Sequence, residues 1–229
     1  MAAALSANPS QAAIVALYDF DPNNRSGTTV DLDGSAQTTW TTSLLLDNAT
    51  GTGAVTAGNQ ELANRDLLTG STGNYLAFSA NRESDTGRPT GSIGKSTWLT
   101  FSITPSAGVA LDFVGQVATL DTYAFNNLPA NVSSADWTLY YSLDGGAAWT
   151  SLSTFAGASA NASAGTVGPT ALSWLLTPLG LRSAAVDFLL DPVTTGAANG
   201  VTTQRSVGFD NLVVNANVTQ VPVPAPLPL

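Results

Sequence analysis

The sequence predicts an all-β protein: an antiparallel β-sandwich, jelly-roll-like, with at most one short helix. Three observations carry this. Apolar and polar residues alternate with a period of two in most apolar stretches, the signature of half-buried strands rather than helices. About ten such stretches recur along the chain with regular turn signals, as in sandwiches and jelly rolls. The segments 47–60, 82–94, 156–169 and 192–204 are rich in Gly, Ser, Thr and Asn and read as loops.

Taken in order, AIVALYDF (13–20) and NYLAFSAN (74–81) are candidate strands, and QELANRDLL (60–68) is the one plausible helix. In STWLTFSITP (96–105), Leu99, Phe101 and Ile103 alternate with Trp98, Thr100, Ser102 and Thr104. VALDFVGQVATLDTYAF (109–125) continues the pattern. In DWTLYYSLDGG (136–146), Trp137, Leu139, Tyr141 and Leu143 share one face, and Asp144-Gly145-Gly146 is a hairpin signal. AWTSLST (148–154) is the return strand. ALSWLLT (171–177) is a further strand, and SAAVDFLLD (183–191) directs Ala184, Val186, Phe188 and Leu190 inward. VGFDNLVVNANV (207–218) closes the series. Four prolines then fall within 221–229, where successive X-Pro units favour an extended chain. This organisation predicts one domain over 13–218. Residues 1–12 precede it as a signal remnant or disordered N-terminus, and 219–229 follow as a proline-rich tail.

Composition narrows the function. Of 229 residues, only 10% are charged, and the net charge is −9 with seven basic residues. Nucleic acids and anionic membrane surfaces both need clustered Lys or Arg and are excluded as partners. There is no histidine and no cysteine. Serine–histidine triads, thiolate nucleophiles and His- or Cys-ligated zinc are therefore impossible. Glycoside hydrolysis needs a pair of cooperating carboxylates. Glu61 and Glu83 are the only glutamates, and the fourteen aspartates are scattered. The chain reads as non-catalytic.

The order of three stretches resembles bacterial exported proteins that carry a PEP-CTERM sorting signal. They are LTFSITPSAGVALDF (99–113), WTLYYSLDGGAAWTSL (137–152) and VGFDNLVVNANVTQVPVPA (207–225). Val221, Pro222, Val223, Pro224 and Ala225 match the family's Val-Pro-x-Pro-Ala variant, without the glutamate of its commoner form. The family's motif continues into a transmembrane helix and a basic cluster; the sequence here runs to Leu229. The resemblance implies export from a Gram-negative cell to its surface or extracellular matrix, with the proline segment as a spacer leading toward a membrane anchor.

The domain also looks similar to jelly-roll carbohydrate-binding modules, which often hold a structural calcium between their first and last strands. That resemblance implies Ca²⁺ ligation by Asp19 or Asp21 with Asp210. Asp19, Asp21 and Asn23 recur at every second position, and oxygen ligands suit this hard cation. The loop is not an EF-hand, because Asn24 stands where the glycine belongs and Val30 where the bidentate glutamate belongs. A plain turn with Asx hydrogen bonds accounts for Asp21-Pro22-Asn23-Asn24 equally.

For carbohydrate, Trp98, Tyr123 and Trp149 are the candidate stacking residues, with Tyr75 also near a strand end. Amphipathic rings beside hydroxyls and carboxylates suit a sugar face, whereas rings of this kind also serve as core or rim. Self-association is a further expectation. AIVAL (13–17) could donate a strand to a neighbouring molecule, and the single lysine, Lys95, leaves edges poorly protected. The expected function is thus an exported surface or matrix protein, structural or adhesive. The alternative is a carbohydrate-binding module with structural calcium, and its partner is extracellular polysaccharide.

Overall fold

The structure, a computed structural model, describes residues 12–19, 39–41, 43–46, 49–51, 54–57, 66–69, 74–79, 81–82, 99–126, 132–161, 165–194 and 206–221. Side chains are described for 13–17, 100–124, 134–160, 167–193 and 207–221.

Strands dominate the described residues. They are β1 (Ala12–Asp19), β2 (Thr39–Thr41), β3 (Ser43–Leu46), β4 (Ala49–Gly51), β5 (Ala54–Ala57), β6 (Asp66–Thr69), β7 (Asn74–Ser79) and β8 (Asn81–Arg82). The second half holds β9 (Leu99–Pro105), β10 (Val109–Asp112), β11 (Val117–Asn126), β12 (Val132–Ser142), β13 (Thr150–Asn161), β14 (Gly165–Leu175), β15 (Leu181–Arg182), β16 (Val186–Thr194) and β17 (Ser206–Gln220). They form two sheets packed as a sandwich. One runs β14-β11-β17-β1-β3, with β10, β15, β7 and β6 attached. The other runs β13-β12-β16-β9-β5-β2, with β4 and β8 attached. Pairing is antiparallel except for the short β16–β8 contact.

The core is built by the alternation seen in the sequence. Trp137 and Leu139 from β12, Phe101 and Ile103 from β9, and Val186, Phe188 and Leu190 from β16 face inward. They meet Ala118, Leu120, Trp174, Phe209, Leu212 and Val214 of the other sheet. Phe101 and Phe188, direct partners on neighbouring strands, stack at 5.0 Å. Trp137 meets Phe209 edge-on across the sandwich at 6.1 Å. Each such side chain, fully buried, contributes roughly 1.5–3 kcal/mol.

One flank of the sandwich is stitched by polar groups. Thr122, fully buried on β11, donates its hydroxyl to Thr170 O (2.9 Å) and accepts the Ala158 amide of β13 (3.0 Å). The Trp174 indole of β14 donates to Ser153 O of β13 (2.7 Å), and its ring meets Phe155 edge-on. Backbone groups of β13 that face away from β12 thus find partners in the opposite sheet, as a buried strand flank requires.

Several expectations change. The predicted helix over 60–68 is not formed at its C-terminal end, because residues 66–69 pair with β7 as β6; 60–65 lie outside the described residues. The stretch 109–125 is two strands. They are divided at Phe113–Gln116, where the Gln116 amide turns back to Phe113 O (3.1 Å) and the Phe113 amide reaches Gly180 O (3.0 Å). The loops expected over 47–60 and 156–169 contain β4, β5 and parts of β13 and β14. Ala184 is exposed ahead of β16, and Leu143 lies exposed at the turn beyond β12. The expected free strand at 13–17 belongs to β1, which pairs with β17 on one side and with β3 along 16–19 on the other. The last strand runs on to Gln220, and the Val221 amide reaches Gly108 O (2.8 Å). Among the described residues, no helix is long and apolar enough to cross a membrane.

Candidate functional site

The outer face of the eight-stranded sheet is set by the same alternation that builds the core. Since Trp137 and Leu139 point inward, Thr138, Tyr140 and Ser142 point outward. Since Phe188 and Leu190 point inward, Asp187, Leu189 and Asp191 point to the opposite face, where Thr138, Tyr140, Ser142, Leu189 and Asp191 are themselves buried and Ser102, Asp187 and Trp149 are half-buried. Register places Tyr140 beside Leu189, Ser142 beside Asp187 and Thr138 beside Asp191. On the next strand, Ser102 pairs with Asp187 and Thr100 with Leu189. Ser102 Oγ donates to Asp187 Oδ1, and Thr138 and Thr154 share a hydroxyl hydrogen bond of 2.7 Å.

Trp149 packs on this face. It forms a small apolar cluster with Tyr140 and Leu189 and is itself only half-buried. The turn before it fixes the ring. Ser142 Oγ donates to Asp144 Oδ1 (2.6 Å) and accepts the Gly146 amide (2.9 Å), and the Ala148 amide donates to Asp144 Oδ1 (3.0 Å). These bonds hold the Asp144 carboxyl below its ordinary value; the Ser142 hydroxyl is the main cause and the Ala148 amide the next. Gly146 lies under the indole with φ +85°, and a Cβ there would stand 3.4 Å from Trp149 Cζ2. The result is an aromatic ledge bordered by hydroxyls and a carboxylate.

Of the residues singled out from sequence, Trp149 therefore lies on an outward face. Tyr123 does not. It is 1% exposed, and its ring is so close to Gly168 that a Cβ there would meet Tyr123 Cδ1 at 2.9 Å. A ring enclosed in this way has no face to offer a sugar. Trp98 lies outside the described residues, and so does Asp21. Tyr140 and Leu189 were missed. The signal was available: Tyr140 follows Leu139, so alternation sends it to the face opposite the core.

The proposed calcium ligands are partly located. β1 and β17, the first and last strands, are neighbours, and Tyr18 pairs with Leu212. Asp19 ends β1, where its backbone pairs with Ser43 of β3. Asp210 is 1% exposed and sits at a register shift opposite Asp121 on β11. Asn211, with φ 50°, turns its amide to Asp210 Oδ1 (2.8 Å) and donates Nδ2 to Asp121 Oδ2 (3.0 Å). Asn tolerates this left-handed conformation better than most residues. Among the described residues, no group of three or more acidic, histidine or cysteine side chains is gathered as a metal site.

No family model and no curated protein matches the chain. Among solved structures, it is similar to TmCBM27, a carbohydrate-binding module of specific mannan recognition. The identity is 7% and the TM-score 0.40, over 91% of this chain and 99% of that one. It is also similar to the CBM22-2 xylan-binding domain of Paenibacillus barcinonensis Xyn10C, at 12% identity and a TM-score of 0.33, over 90% of this chain and 98% of that one. At these values the likeness carries no ligand across; the sandwich stands on its own strand pairing.

Proposed function

We propose that this chain is a non-catalytic, polysaccharide-binding β-sandwich of an exported protein, working at a cell surface or in an extracellular matrix. The observation that carries the reading is the half-buried Trp149, braced on Tyr140 and Leu189 and bordered by the Ser102–Asp187 and Thr138–Thr154 pairs. A ring held by a rigid turn loses little freedom when a sugar stacks on it, and adjacent hydroxyls and carboxylate can address sugar hydroxyls. The net charge of −9 selects against acidic polymers, so the ligand is a neutral polysaccharide. The Val221–Ala225 motif supports export.

The test is isothermal titration of the full chain against a panel of neutral polysaccharides, mannan and xylan among them. Saturable binding is expected for at least one. Trp149→Ala should weaken it by ~10-fold or more, while Tyr123→Phe leaves it intact. Binding to none of the panel, or binding that survives Trp149→Ala unchanged, overturns the reading. Melting the wild type and Asp210→Asn with calcium and with chelator examines the metal in the same preparations. A calcium-dependent melt confined to the wild type is the outcome expected of a structural ion.

A further inference from the structure

On the outer face of the eight-stranded sheet, Ser142 of β12, Asp187 of β16 and Ser102 of β9 stand in one row across three strands. Each serine hydroxyl has a single proton to donate. Ser102 donates its own to Asp187 Oδ1, and Ser142 turns its own to Asp144 Oδ1. The Ser142 hydroxyl, though next to Asp187 in register, thus leaves that carboxylate to Ser102. A carboxylate offers about four acceptor sites and no donor. The Ser102 bond therefore fixes the group and leaves most of it able to accept. Asp187 and Ser102 are half-buried, whereas Ser142 is 1% exposed. The part of the row that a ligand can reach is an oriented acceptor.

Asp187 lies two residues before Leu189, on which Trp149 rests. Two residues of a strand span about 7 Å, a reach that a pyranose stacked on the indole covers with its hydroxyls. Resting on the polysaccharide reading of this face, we propose that Asp187 is the specificity-determining residue of the site. It accepts a hydrogen bond from a secondary hydroxyl of the stacked sugar, and so selects unacetylated stretches of a neutral polysaccharide over O-acetylated ones. A hydroxyl-to-carboxylate bond is charge-assisted and roughly twice as strong as a neutral one. Esterifying that hydroxyl removes its proton and leaves only oxygen lone pairs facing those of the carboxylate. The protons of Ser102 and Ser142 are already given to aspartates and do not reverse the polarity of the contact. A site arranged to bond a hydroxyl discriminates against the analogue that lacks it, because its own polar group is then left unpaired.

The experiment is isothermal titration of the full chain with mannan, xylan and glucan, each beside the same polymer densely O-acetylated. For a polymer that binds, the unacetylated form should bind ~10-fold or more tighter. Asp187→Asn keeps the shape and an oxygen for the Ser102 hydroxyl, and adds an amide that donates. It should match the wild type in circular dichroism and bring the two forms within ~3-fold of each other. Asp187→Ala, at a half-buried position where water can serve Ser102, should lose the preference as well. Equal binding of both forms by a wild type whose binding is still lost in Trp149→Ala overturns the role of Asp187 and leaves the polysaccharide reading standing. A preference that persists in both Asp187 variants does the same. Binding to none of the three unacetylated polymers overturns the polysaccharide reading itself, and the role of Asp187 with it.

Discussion

Thr122 shows how much one buried hydroxyl can do in this sandwich. It satisfies an amide of β13 and a carbonyl of β14 while sitting on β11. Thr122→Val keeps the shape and removes both bonds, leaving the Ala158 amide and the Thr170 carbonyl without that partner. A loss of about 1–3 kcal/mol is expected by urea denaturation, with Thr122→Ser recovering most of it. Gly157, one residue before Ala158, makes a steric demand. A Cβ there would stand 2.6 Å from Trp137 Cδ1 and 3.1 Å from Ala135 O, and would press on the indole nitrogen. The indole is fully buried and cannot swing clear. Gly157→Ala should therefore cost about 1–3 kcal/mol as overpacking, read from the same denaturation curves. Neither position is apparent from residue type, because a lone threonine or glycine in an Ala/Ser/Thr-rich strand carries no periodic signal.

The 142–149 turn couples local structure to the candidate site, and its chemistry gives it a pH dependence. Asp144 is stabilised as the anion by the Ser142 hydroxyl first and by the Ala148 amide next. Its folded pKa is lowered, so the folded turn binds the proton less readily than the unfolded chain. The turn's stabilisation is complete above the ordinary value of 3.8 and is lost as pH falls through the lowered value. Acidification should loosen the turn and shift Trp149 fluorescence, and Asp144→Asn should flatten that transition. An unchanged acid transition in the variant would assign it to another carboxylate. This hairpin was legible in sequence, since Asp144-Gly145-Gly146 between alternating strands is a local signal. So was the inward row Phe101, Ile103, Trp137 and Leu139. What escaped was set by distant partners. β6 takes up residues with helical spacing because β7 lies alongside it. β4, β5 and the extensions of β13 and β14 take up Gly- and Ser-rich segments because neighbouring strands supply ladder bonds that propensity does not foresee. Tyr123 looked available because its strand was clear and its enclosure by Gly168 was not.

At the scale of the whole molecule, the core and the candidate site are opposite faces of the same strands. Trp137, Leu139, Phe188 and Leu190 point inward from β12 and β16, while Tyr140 and Leu189 carry Trp149 on the other face. The side chains that hold the two sheets together are therefore distinct from the ring offered to a polysaccharide. Trp149 is only half-buried, so Trp149→Ala should cost about 1–2 kcal/mol in urea denaturation, while polysaccharide binding falls. Phe188→Ala, which empties a fully buried site, should cost about 3–5 kcal/mol. A Trp149→Ala variant that loses as much stability as Phe188→Ala would make the ring part of the structural core and remove it from the site.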